Sequence, residues 1–215
     1  MRIIKSMWLG LLFLPMLANA TVTQVTLWQP EPGKTMQMLQ VATEAKAMHS
    51  KLGAQADMAI DAMGRLHFIM AFEDWETWDA YRAKMAASAE MQAFVAKIQT
   101  DPPARQVENF LLNQPLEVVP NQVYSVLVFE PMPGRFGELM QAAMKASEIH
   151  TKDGATVGIN VDQVGNMHYV MSFESWAAWG AFRDNPSAEW TAFNAAYLSD
   201  PSGKLVTNYL ARRLP

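Results

Sequence analysis

The feature that most constrains this chain is that it resembles itself. Sliding the 215-residue sequence by 101 positions places Pro30-Glu31-Pro32-Gly33-Lys34 over Pro131-Met132-Pro133-Gly134-Arg135. The same shift places His49-Ser50-Lys51-Leu52-Gly53-Ala54 over His150-Thr151-Lys152-Asp153-Gly154-Ala155. The clearest stretch is GRLHFIMAFEDWETWDAYR, Gly64 to Arg82, over GNMHYVMSFESWAAWGAFR, Gly165 to Arg183. Beyond Arg82 the offset falls to 99, which aligns Ser88-Ala89-Glu90 with Ser187-Ala188-Glu189, Phe94 with Phe193, and Asn109 with Asn208. About a third of the positions from Val22 to Arg82 are identical to their partners. Such self-similarity points to two copies of one unit of about 100 residues. The expected division is a leader at 1–20, a first domain at 21–112, a linker at 113–121 (NQPLEVVPN) and a second domain at 122–215.

Each copy reads as β-α-β-β-α-β. Val22 to Gln29 and Val123 to Glu130 are β-rich runs that stop at a Pro-x-Pro-Gly turn. In Lys34 to Leu52, the residues Met38, Leu39, Ala42, Ala45 and Met48 recur at helical spacing, and Gly53 and Gly154 stand where a C-cap glycine belongs. Ala56, Met58 and Ile60 alternate with polar neighbours, as do Val157, Ile159 and Val161, the pattern of a strand with one buried face. Turns through Gly64 and Gly165 lead into strands ending at Glu73 and Glu174. Asp74 and Ser175 then suit the N-caps of second helices predicted over Trp75 to Ile98 and Trp176 to Leu198, with Asn185-Pro186 breaking the latter and Pro186 opening its continuation. The last strands are expected over Val107 to Leu112 and Leu205 to Ala211.

A βαββαβ unit makes a four-stranded antiparallel sheet with both helices on one face, so its other face needs a cover. Two units in one chain cover each other. The expected fold class is α+β: two tandem ferredoxin-like βαββαβ domains whose antiparallel sheets pack into an intramolecular α/β barrel, monomeric as an internal pseudo-dimer. The Pro-Gly-Lys/Arg helix start, the hairpin and the Phe-Glu-Asp/Ser-Trp-x-x-Trp motif resemble the dimeric α/β-barrel superfamily, with its antibiotic-biosynthesis-monooxygenase-like and NIPSNAP-like branches nearest. This resemblance covers nearly all of the mature chain and is carried by mostly structural motifs. It implies a small-molecule-binding protein, with a cofactor-independent oxygenase or isomerase as one form, and a small hydrophobic or aromatic partner. The competing classes are a non-enzymatic binding or stress-related scaffold and a haem or metal carrier. Haem-degrading members pair a helix histidine with Asn and Trp. Neither predicted second helix here contains a histidine, so no cofactor is expected and haem is disfavoured.

Composition narrows the remaining classes. The chain has no Cys, which excludes disulfides, thiolate metal sites and cysteine nucleophiles. Arg2 and Lys5, the apolar run Met7 to Leu17 and Ala18-Asn19-Ala20 form a signal-peptide pattern, predicting cleavage after Ala20 and a periplasmic location. No later stretch is apolar for the roughly 18 residues a membrane helix needs. The mature chain would carry 15 cations against 21 acids, unlike a nucleic-acid binder. The methionines lack a tight Met-x-x-Met or His-x-Met cluster, so they read as core filling and no metal site is expected.

All four histidines repeat. His67 and His168 open the third strand of each copy, opposite the aromatic face of Phe68 and Phe72, and should point into the barrel or its rim as candidate catalytic bases or as ligands for metal or haem, with a hydrogen-bonded structural role as the bland and favoured alternative. His49 and His150 end the first helix, where an imidazolium would complement the helix dipole. Asn109, Asn208, Trp75, Trp176, His49 and His150 are pocket candidates. The bland alternatives are strand bridging for the asparagines and core packing for the tryptophans. Asp61 and Asp162 read as turn formers, and Glu73 and Glu174 as capping or surface residues.

Overall fold

The computed structural model describes residues 22–215, so the expected leader and its cleavage site lie outside the described residues. The first half comprises β1 (Val22–Pro30), α1 (Thr35–Lys51), β2 (Gln55–Asp61), β3 (Leu66–Phe72), α2 (Trp75–Ala87), α3 (Ala89–Thr100) and β4 (Ala104–Leu116). The second half repeats that order as β5 (Val123–Pro131), α4 (Phe136–Lys152), β6 (Thr156–Asp162), β7 (Met167–Phe173), α5 (Trp176–Asp184), α6 (Ala188–Ser199) and β8 (Gly203–Arg213). All strand pairs are antiparallel, and the order β1-β3-β2-β8-β5-β7-β6-β4 closes on itself. The α+β barrel expected from the sequence is therefore present within one chain.

The sheets do more than pack. They are joined by hydrogen-bonded seams between β2 and β8 (Ala59 opposite Arg213, Asp61 opposite Ala211) and between β4 and β6 (Leu112 opposite Asp162, Leu116 opposite Ile159). Closure requires β4 to run past its own sheet. Asn113 to Leu116, the first part of the expected linker, is accordingly strand. The rest folds over the barrel end, where Val118 packs among Ala59, Tyr124, Val170 and Ala211, and Ser172 Oγ donates to the Val119 carbonyl at 3.0 Å. Gly158 admits this crossing, because a Cβ there would lie 2.5 Å from Val118 Cγ2 and 2.9 Å from the Glu117 carbonyl oxygen.

The predicted second helices are each divided in two. Ser88 and Ser187 adopt extended backbone and accept from the amides of Met91 and Trp190, so each caps the following helix; Ser88 also ends α2, whereas α5 ends at Asn185, in the break expected there. Pro186 precedes the cap and does not open the helix as expected. Asp74 and Ser175 do cap α2 and α5, through the Thr77 and Ala178 amides. Alternation along the strands sorts the side chains. Phe68, Met70 and Phe72, like Tyr169, Met171 and Phe173, meet the helices, whereas His67, Ile69 and Ala71 face the barrel interior.

Candidate functional site

Two cavities on opposite faces of the sheet hold three of the four histidines. The first is a chamber of about 490 Å³ inside the barrel, with His67, His168, Asn160, Tyr209 and Phe110 among its wall residues. Both sequence-predicted bases thus reach one chamber, as alternation on β3 and β7 required.

Each histidine is tied to a buried aspartate at the hairpin turn. Asp61 Oδ1 accepts the amides of Met63 and Arg65 at 2.9 Å, while Oδ2 accepts Arg65 Nε at 2.8 Å and lies 3.1 Å from His67 Nε2. Asp162 repeats the arrangement with the amides of Val164 and Asn166, with Asn166 Nδ2 and with His168 Nε2 at 3.2 Å. Gly64 and Gly165, at φ 77° and 91°, make these tight turns possible. The aspartates are turn formers as expected, and they also orient the imidazoles, a role not expected from the sequence. Burial works against the Asp61 carboxylate, but hydrogen bonds from His67 and Arg65 outweigh it and hold it down at about 2. An ionised Asp162 takes the Nε2–H of His168 and leaves Nδ1 as an acceptor. Desolvation outweighs Asp162 and lowers the His168 pKa, which favours that neutral form.

The second cavity, of about 730 Å³, lies in the first half only, between the outer sheet face and α1 and α3. Its lining is apolar (Trp28, Phe68, Met91, Phe94 and Ile98 among others), and His49 is its one titratable side chain. The helix-dipole reading of His49 and His150 is corrected here. Burial lowers both, His150 to about 4, so they are held neutral. His49 Nδ1 lies 2.5 Å from the Tyr81 hydroxyl, and His150 Nδ1 lies 2.8 Å from that of Tyr169. Of the other pocket candidates, His150 is packed at 4.1 Å between ring centroids against Trp190 and lines neither cavity.

Asn109 and Asn208 are exposed and outside both cavities. Asn109 Oδ1 bridges to Thr26 at 3.0 Å and Gln24 at 3.2 Å across the β4–β1 pair, the strand-bridging alternative. Trp75 and Trp176 are each 45% exposed, so they are neither pocket walls nor core. They stand at the first turn of their helices, and the buried stripe falls instead on Trp78 and Tyr81, or Trp179 and Phe182. Glu73 and Glu174 are exposed. Two site residues escaped the sequence reading. Asn160 replaces Ala59 of the first half, and Tyr209 replaces Phe110. A polar residue in an otherwise apolar inward register was the available signal.

No protein-family model matches the sequence, and no curated protein sequence matches it significantly. Solved structures do match along almost the whole chain. A candidate monooxygenase from Fusobacterium nucleatum superposes with a TM-score of 0.67 at 10% identity, covering 92% of this chain and 94% of that one. An anthrone oxidase-like protein gives 0.60 at 12% identity, covering 92% and 93%. A haem-binding protein from Thermus thermophilus gives 0.55 at 9% identity, covering 91% and 92%. The structural neighbours of this chain thus include monooxygenase-like and chlorite-dismutase-like proteins, and what it shares with them is the fold, an antiparallel barrel built from βαββαβ units.

Proposed function

We propose that this protein binds a flat, mostly apolar small molecule carrying one oxygen function in the cavity between α1, α3 and the first-half sheet, and oxidises it without a cofactor. The carrying observation is the cavity: about 730 Å³ of apolar wall around a single titratable group, His49. A neutral imidazole there could take the proton of a ring hydroxyl; the anion adds O2 at a ring carbon bearing hydrogen, the imidazolium returns the proton to the peroxide, and loss of water with cleavage of the O–O and C–H bonds leaves a second carbonyl, so that phenol plus O2 gives quinone plus water. For that, His49 Nδ1–H must donate to Tyr81, whose hydroxyl in turn can donate to the sulfur of Met70 (3.3 Å) or Met85 (3.5 Å). Nε2 is then the free base. The monooxygenase and anthrone oxidase-like names among the structural neighbours point the same way.

A second reading rests on the same contact. If Tyr81 donates to Nδ1 instead, Nε2 carries the proton and can only donate, which makes a binding protein without turnover. Haem fits the cavity poorly, since among the described residues no Lys or Arg lines it to meet propionates. On either reading His67 and His168 act from the other cavity, and we read the chain as an exported monomer.

The test is titration of the purified mature protein with 1-naphthol, a flat ring system with one hydroxyl, followed by fluorescence of the wall residue Trp28. Saturable binding that weakens about tenfold in His49→Ala is expected. Oxygen uptake dependent on His49 selects the oxygenase; binding without uptake selects the carrier. No saturation removes the cavity as a ligand site.

A further inference from the structure

The barrel interior carries an independent inference, because it contains a polar group that none of the described residues satisfies. Asn160 is 4% exposed, and its Oδ1 has no hydrogen-bond partner among the described residues. Buried amide oxygens are almost always paired. The barrel does not need an amide here, because the counterpart in the first half is Ala59, equally buried at 2% exposure.

Asn160 is aligned with His168 across the β6–β7 pair, so both side chains face the chamber from one patch of wall. His168 spends Nε2 on Asp162, which leaves its Nδ1 as a second acceptor beside the amide oxygen. Around them the wall is aromatic and aliphatic: Phe110 edge-on to His168 at 4.7 Å, with Val126, Val170 and Leu112. Wall residues are exposed at Ser50, Gln55 and Pro120 and buried at His67, Asn160 and His168, so the chamber opens at the first end and is closed at the second. The neighbouring carboxylates are all engaged: Asp61 by Arg65 and His67, Asp162 by Asn166 and His168, Glu108 by Tyr209, and Asp57 at the open end by Arg213. The oxygens of these carboxylates already hold hydrogen bonds, so a ligand donor meets its open acceptors at Asn160 Oδ1 and His168 Nδ1.

We propose that this chamber is a second binding site, which takes a small neutral aromatic molecule with its hydroxyl donated to Asn160 Oδ1 or His168 Nδ1. The proposal does not depend on the outer cavity, since the two lie on opposite faces of the sheet.

Phenol is the probe, titrated into the full mature protein labelled with nitrogen-15, with the Asn160 side-chain amide resonances and calorimetry as readouts. The expected result is saturable binding that shifts those resonances. Affinity should fall about tenfold or more in Asn160→Ala, and toluene, which lacks the donor, should bind wild type about tenfold more weakly than phenol. Asn160→Ala installs the residue the first half already carries at position 59. The phenol–toluene comparison needs no variant and decides the matter should that one fail to fold. Met91→Trp, which fills the outer cavity, should leave phenol binding intact, and Asn160→Ala should leave 1-naphthol binding intact. The proposal is overturned if phenol does not saturate, if toluene binds as well, if Asn160→Ala binds phenol like wild type, or if Met91→Trp abolishes phenol binding.

Discussion

The two halves share one backbone plan, yet one has a large cavity between helices and sheet and the other is filled. Three exchanges account for the difference. Met91 of α3 is replaced by Trp190, whose ring lies 4.1 Å from His150 and 5.7 Å from Phe193. Ile98 is replaced by Tyr197, whose hydroxyl bonds the Gly203 backbone at 3.1 and 3.2 Å. Ala104 is replaced by Gly203, which lets Leu139 close in to where a Cβ would sit 2.8 Å away. Larger rings and a smaller backbone residue thus occupy in the second half the volume that is open in the first. Equivalent histidines consequently have unlike surroundings: His49 borders open space, and His150 is enclosed by aromatic rings. The comparison shows how a repeated frame can keep its histidines while leaving open space beside His49 and packing aromatic rings around its counterpart His150.

Inside the barrel the asymmetry is chemical. Asp61 is met by the guanidinium of Arg65 where Asp162 is met by the amide of Asn166. Linker residues Glu117 and Val118 cover β6 at Gly158, whereas the counterpart of Gly158, Asp57, is held by Arg213 at 2.7 Å beside the open end.

The most direct way to break the contrast is to give the first half the second half's side chains. The double variant Met91→Trp, Ile98→Tyr should abolish 1-naphthol binding outright while leaving the thermal midpoint at or above wild type; retained binding would place that ligand elsewhere. The reverse exchange, Trp190→Met, should open a void around His150 and cost about 3–5 kcal/mol in denaturant unfolding. A cost well below that would mean the helices collapse into the space.

Removing the turn carboxylates should show a graded effect. Asp61→Ala leaves Arg65 and His67 without their partner and should cost about 3 kcal/mol, more than Asp162→Ala, which abandons no guanidinium. The sign with pH follows from the depressed carboxyl. Unfolded, Asp61 titrates near its ordinary 3.8, and folded at about 2. Its contribution is therefore complete above pH 4 and disappears as the pH falls through 2, so Asp61→Asn should flatten that part of the stability profile.

The smallest effect concerns His150. The unfolded chain binds a proton near pH 6.5, whereas the folded site stays neutral down to about 4. Stability should decline as the pH falls from 6.5 to 4 and level off below, and His150→Gln should reduce that slope. His49 shifts in the same direction, so equal slopes from the two sites would count against the greater enclosure of His150.

Much of this was legible in the chain. The 101-residue offset, the alternation on β3 and the Ser and Asp caps are local or periodic signals, and each led to the element found. His67 and His168 were placed on the inward face by the same period of two. The misreadings have a common origin. Trp75 and Trp176 carry a strong apolar signal but stand at helix starts, beyond the covered stripe, and Asn109 and Asn208 face outward because alternation along β4 and β8 turns Phe110, Leu112, Tyr209 and Ala211 inward. Ser88 divides a helix that has continuous helical propensity, since its hydroxyl and extended backbone cap the next segment.

The sequence by itself determined the repeat, the order of elements, the covered sheet face and the inward direction of two histidines, because these depend on neighbours within a few residues. Tertiary structure alone decided that β4 reaches β6, that linker residues Glu117 and Val118 pack over β6 at Gly158, and that Asn160 Oδ1 has no partner among the described residues. It also decided that the space under α3 is open while that under α6 is filled. Those outcomes depend on volumes and acceptors supplied by residues distant along the chain, as Leu139 does for Gly203 and Phe110 for His168. No spacing rule within one segment contains that information.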